Sequence, residues 1–263
     1  MLAILSRAFV FASLLSPLIL VRSMFFPFIS GKAIFFRTLI ELALLCYALH
    51  VILSKERKAL VQEILTRLKQ PLVIALLIFT ILFMVTAVSG ENSAQSFWSN
   101  FERGEGAFQI LHYFLFFLLV TLLFPTRRLL NQLLATHVGV SVLVSLYALG
   151  QLVTTAAAGK FLAAGGRISG TLGNPSYLAC YLLITFAILL YFFTQTKQLF
   201  WRIALTIIGL FELFMFIKTG TRGAFLGLVI GLLILLIINV FITKQRTIKL
   251  WLALALAALV VLM

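Results

Sequence analysis

Two short stretches concentrate the residues of this chain that can do chemistry. The first is Arg167-Ile168-Ser169-Gly170-Thr171-Leu172-Gly173-Asn174-Pro175-Ser176-Tyr177-Leu178-Ala179, and the second is Thr219-Gly220-Thr221-Arg222-Gly223-Ala224. Each sets an arginine and a glycine-containing turn at the edge of a long apolar segment. An arginine in a bilayer costs roughly 2.5–3.5 kcal/mol at a helix centre and less at the ends. Two of them on one side of a membrane therefore point to an anionic ligand, because the guanidinium fork matches phosphate or carboxylate oxygens. Asn174 and Pro175 read as the N-cap and first turn of a helix, whose N-terminus presents free N–H groups and a positive dipole end. A plainer reading also fits: a capped helix start and an arginine that snorkels to the interface. In the second stretch Gly223, Gly227 and Gly231 recur every four residues, a spacing that predicts close packing of that helix on a neighbour.

Weaker candidates lie earlier. Glu102, Arg103 and Glu105 sit in a loop with Phe97, Trp98 and Phe101. They read as contacts for a glycan or an acceptor, or as a salt-bridged turn in an interfacial aromatic belt. His112, beside Tyr113, reads as a ligand contact or as a satisfied interfacial histidine. Arg37 and Glu41 stand four apart on one helix face and predict an ion pair. With Glu212 they are the expected charges inside apolar segments. No two histidines have metal-ligand spacing, and neither a nucleotide loop nor a Ser-His-Asp arrangement is visible. No metal and no cofactor is expected. Cys46 and Cys180 lie inside apolar segments and imply no disulfide.

The elements that must position these residues follow from composition. The chain of 263 residues is 63% hydrophobic and 11% charged, with a mean hydropathy of +1.16. A soluble domain carries about a quarter charged residues. The apolar runs are long and continuous, not alternating, so the expected class is an all-α integral membrane protein. Nine segments are expected to cross: 3–21, 33–53, 71–89, 109–124, 132–150, 174–194, 200–218, 223–243 and 250–263, with 1–21 read as a retained first helix rather than a cleaved signal. With the N-terminus cytoplasmic, thirteen of the 21 Lys and Arg fall inside and eight outside, in line with the positive-inside rule. That orientation sends both arginine motifs and the loop at 90–107 to the outer side. The net charge of +14 is accounted for by topology and anionic membrane lipid, so nucleic acid is not an expected partner. Residues 54–70 place Leu60, Ile64, Leu65 and Leu68 at helical spacing among charges, which predicts a cytoplasmic amphipathic helix on the bilayer surface or a solvated loop. No soluble domain is visible, and 1–263 reads as one transmembrane domain.

Taken together, Arg167–Ala179, Thr219–Gly227, Phe26–Lys32 and Phe97–Gly106 resemble the O-antigen ligase and polymerase superfamily of bacterial envelope glycosyltransferases. The resemblance implies a multi-pass protein of the bacterial inner membrane that moves a glycan from undecaprenyl diphosphate to an acceptor at the outer face. It implies that Arg167 and Arg222 hold the diphosphate. It also implies a catalytic histidine in a large outer loop after the ninth helix. The sequence given stops at Met263, so the expectation is a membrane portion truncated before that loop, partnered by a separately encoded C-terminal half if the protein is split. The competing expectations are a polytopic transporter or lipid flippase, and a non-catalytic remnant.

Overall fold

A computed structural model describes residues 1–21, 23–100, 104–158 and 167–242. Among them every regular element is helical: α1 (Leu2–Ser13), α2 (Ser30–Leu53), α3 (Arg57–Leu68), α4 (Pro71–Ser89), α5 (Ser93–Trp98), α6 (Ala107–Leu123), α7 (Arg127–Ala158), α8 (Pro175–Gln195), α9 (Leu199–Lys218) and α10 (Arg222–Ile242), with 3-10 turns at Ser16–Leu18 and Gly170–Leu172. Six helices, α2, α4, α7, α8, α9 and α10, are long and apolar enough to cross a membrane. The chain is a multi-pass helical membrane protein.

The other expected crossings differ in an instructive way. The run 3–21 does not form one helix. At 12 residues α1 spans only about 18 Å, against a hydrocarbon core of about 30 Å. Pro17 explains the stop: it lacks an N–H, its ring crowds the preceding turn, and it disfavours helical backbone at Ser16. The chain passes into the 3-10 turn instead, and the Ser13 hydroxyl bonds the Val10 carbonyl at 2.7 Å. With 17 residues α6 reaches about 26 Å. The segment 250–263 lies outside the described residues. The helix expected in 54–70 is present as α3, with Leu60, Ile64 and Leu68 half-buried and Leu65 exposed. Its Arg67 and Glu63, four apart, lie 3.7 Å from each other.

The chain divides into two compact units, Met1–Gly159 with Gly170–Gly173, and Lys160–Ser169 with Asn174–Met263. In the first, α1 and α6 pack on α2, and α4 packs on α6. Val10, Ile40, Ala43, Tyr47, Leu119, Leu122 and Phe124 form its buried cluster. The small Ala43 lets α1 approach closely enough for the Ser6 hydroxyl to donate to the Ala43 carbonyl at 2.7 Å. The Gly170–Leu172 turn is fastened here by side chains. Gln151 on α7 accepts from the Gly170 N–H at 2.8 Å and donates to its carbonyl at 3.1 Å. Lys32 on α2 donates to the Thr171 carbonyl at 2.8 Å and to that of Ile19. Gly173 closes the turn with a φ of 74°, and a Cβ there would come within 2.5 Å of the Phe28 side chain.

In the second unit α8 packs on α9 and α10. Leu178, Ala179, Leu182, Met215 and Phe216 are buried, and Phe186 meets Phe216 edge-on at 5.9 Å. On α10, Phe225, Leu226, Ile230 and Ile234 are exposed, an apolar surface that suits lipid. Among the described residues the glycine stripe meets no close neighbour. A methyl group built on Gly223 or Gly231 would meet nothing within 4 Å among the described residues, and one on Gly227 would reach only Leu183 at 4.0 Å.

Gly173→Ala should destabilise the first unit by about 1–3 kcal/mol, because both the backbone conformation and the Phe28 contact exclude a Cβ. Thermal unfolding in detergent, read against Gly139→Ala at a site with open space, checks this.

Candidate functional site

Arg167 of the first motif meets the second motif within the second unit. Helix α9 ends at Lys218, with Thr219 as its C-cap and Gly220 in the left-handed conformation at φ 58°. This is a common helix stop, and glycine suits it because it has no Cβ. The Thr219 N–H bonds back to the Met215 and Phe216 carbonyls, and its hydroxyl donates to the Phe216 carbonyl at 2.7 Å. Thr221 then opens α10, its carbonyl accepting the Phe225 N–H at 3.1 Å.

Arg167 lies across this turn. Its Nε donates to the Thr219 carbonyl at 2.7 Å, and its Nη2 donates to the Thr221 hydroxyl at 2.8 Å. The Thr219 carbonyl belongs to the negative end of α9, where a cation is favoured. Gly220 admits the guanidinium stem, since a Cβ there would stand 3.4 Å from Nε. Two of the five guanidinium N–H groups are thereby committed to protein, and three remain. Fifty-five positions along the chain, Arg222 is the exposed first residue of α10. The positive end of that helix does not favour a cation. With Lys218, whose Nζ lies 5.4 Å above the Phe214 ring, three cations surround one turn, and no carboxylate pairs with any of them among the described residues. Beside them a cavity of about 470 Å³ is lined by Phe216, Ile217, Gly220, Thr221, Arg222 and Phe225. Apolar walls with a cationic rim suit an anion that carries an apolar body.

The other expected site residues are placed differently. Asn174 is the N-cap of α8, its side-chain oxygen accepting the Ser176 N–H at 2.8 Å, so that oxygen is engaged in capping. Glu105 is exposed, and Glu102 and Arg103 lie outside the described residues. His112 is a satisfied histidine. It is buried, its Nδ1 lying 2.7 Å from the Phe108 carbonyl and its Nε2 3.0 Å from Glu41 Oε1. Arg37 and Glu41 form no ion pair with each other. Arg37 instead donates to Gln109 Oε1 and to the Gly104 carbonyl, each at 2.6 Å, and lies 5.2 Å from the Phe108 ring centroid. Partners on α6 and in the segment before it take the place of the intrahelical pair, giving Arg37 two acceptors and Glu41 a ring nitrogen. Sequence reading missed Gln109, Gln151 and Lys32 as organising residues. The available signal was the isolated amide in an apolar run, since a lone glutamine there needs partners. Neither cysteine is bridged, and no cluster of metal-ligating side chains occurs among the described residues.

Arg167→Lys should lower stability by about 0.5–1.5 kcal/mol, because an ammonium cannot serve both acceptors with one rigid fork. Arg222→Ala should stay within about 0.5 kcal/mol of the parent. Thermal unfolding of the two variants side by side checks the contrast, which separates a structural arginine from one free for a ligand. Compared with known proteins, the chain matches no family model, no curated protein and no solved structure.

Proposed function

We propose that this chain is the membrane portion of a bacterial envelope glycosyltransferase, moving a glycan from undecaprenyl diphosphate to an acceptor at the outer face of the inner membrane. The observation that carries the reading is the convergence of Arg167 and Arg222 on one turn, beside a cavity with apolar walls. A polyprenyl diphosphate has that chemistry: an anionic head joined to an apolar chain. In the transfer, an acceptor hydroxyl attacks the anomeric carbon while the bond to the diphosphate oxygen breaks. Negative charge grows on the leaving diphosphate, where Arg222, the remaining N–H groups of Arg167 and the α10 N-terminus lower its energy. Within this reading the N-terminus is cytoplasmic and the turn faces outward. No base is assigned in this reading.

A second reading, a polytopic transporter or lipid flippase, draws on a different observation. Glu212 is fully buried in α9, and Glu41 pairs with His112 inside α2 and α6. Ionisable groups within spans are the usual equipment of transport paths.

The purified chain in nanodiscs should bind undecaprenyl diphosphate. Arg222→Ala should weaken that binding by about 1.5–3 kcal/mol, roughly ten- to hundredfold. Arg222→Lys should recover part of the loss, keeping charge without the fork. Equal affinity for all three proteins would remove the diphosphate assignment. Solute uptake into vesicles by the reconstituted chain, without lipid binding, would move the weight to the transporter.

A further inference from the structure

The contact between Glu41 and His112 joins two helices of the first unit through one hydrogen bond, and its proton count can be worked out from geometry alone. His112 Nδ1 lies 2.7 Å from the Phe108 carbonyl oxygen. A carbonyl only accepts, so Nδ1 carries a hydrogen. A neutral imidazole holds one ring hydrogen, so its Nε2 is then a bare acceptor. Yet Nε2 lies 3.0 Å from Glu41 Oε1, and an ionised carboxylate is also only an acceptor. Two acceptors do not bond. The contact therefore contains one further proton, on nitrogen as imidazolium or on oxygen as carboxylic acid. In either form the pair is neutral overall.

Location gives this proton its meaning. Glu41 stands midway along the 24-residue α2, one of the helices long and apolar enough to cross a membrane. The His112 side chain is 3% exposed, while that of Glu41 is 55% exposed. The ring is sealed inside and the carboxyl forms the open end. A bare carboxylate on the flank of an apolar helix is costly in a bilayer, and sharing a proton with His112 removes the net charge. Among the described residues the charged surroundings are few. Arg37, one turn earlier on α2, is held by Gln109 and Gly104, and Tyr113 follows His112 on α6. Helix α1, packed on α2, carries Arg7 as its one charged residue, and α4, packed on α6, carries none. Helix α3, which follows the C-terminal end of α2, carries Arg57, Lys58, Glu63 and Arg67.

We propose that Glu41 and His112 form a proton-binding site within the membrane span, with the proton as its ligand and Glu41 as its entrance. Proton uptake converts a carboxylate facing a neutral ring into the bonded pair and ties α2 to α6. Proton release leaves two acceptors facing each other and unties them. The proposal stands independently of the diphosphate reading, since it uses none of the residues of the α9–α10 turn.

The test uses the full chain in nanodiscs with isotope-labelled histidine. The His112 signal is assigned by its loss in His112→Gln, which separates it from His50 and His137. Infrared spectroscopy follows the carboxyl of Glu41 in parallel. The wild type should show one pH-dependent step seen together at the ring and at the carboxyl, with Nδ1 protonated on both sides of the step. Glu41→Gln should abolish the step while keeping the fold, because its amide N–H donates to Nε2 at every pH and mimics the protonated pair. Glu41→Ala should also abolish it and leave Nε2 bare. A ring and a carboxyl that titrate separately, a His112 protonated at Nε2 with Nδ1 bare, or a step that survives in Glu41→Gln would each overturn the proposal.

Discussion

A polar group inside a bilayer has no water to bond with, so each must find its partner within the protein. This constraint organises the described structure. Gln151 satisfies both backbone groups of Gly170, and Lys32 takes the carbonyls of Thr171 and Ile19. Arg37 reaches Gln109 and the Gly104 carbonyl, and Arg167 reaches the end of α9. Each of these side chains joins segments far apart in sequence. The apolar faces of α4 and α10 hold little specific information, because lipid is as good a neighbour for leucine as another leucine is. The few polar links fix which helices meet and in what register.

The same division explains what was legible in the sequence. Long apolar runs announce helices by length alone, and α2, α4, α7, α8, α9 and α10 appear close to where they were expected. Asn174 and Pro175 announced the start of α8, since capping is local chemistry. The two arginines were legible as a pair, because each breaks an apolar pattern at a helix edge. What escaped was the choice between local and distant partners. Arg37 and Glu41 stand at ideal intrahelical spacing, yet each turns to α6. Spacing reports which contacts are possible on one helix but says nothing of the better partner on the next. The break at Pro17 was visible in the residues themselves and was outweighed by the apolar run around it. The glycine stripe of α10 is a pattern suited to packing, on a face that the described residues leave open.

The α9–α10 turn combines two arginines in different settings. Arg167 is built into the turn, and Arg222 stands exposed beside it. Substitutions at the two positions therefore report on different things, and loss of function at Arg167 alone does not identify a ligand contact.

The fastening of Arg167 has a consequence for affinity. A free arginine side chain loses about 2 kcal/mol of rotamer entropy when a partner immobilises it. Here the Thr219 carbonyl and the Thr221 hydroxyl have already fixed the fork during folding. For the diphosphate proposed above, the donors would already be set in one orientation, so less of the binding free energy would go into ordering the receptor. Under the same proposal that preorganisation would make the turn selective for shape: an anion whose oxygens do not match the remaining N–H directions would gain little from a guanidinium that cannot turn to meet it.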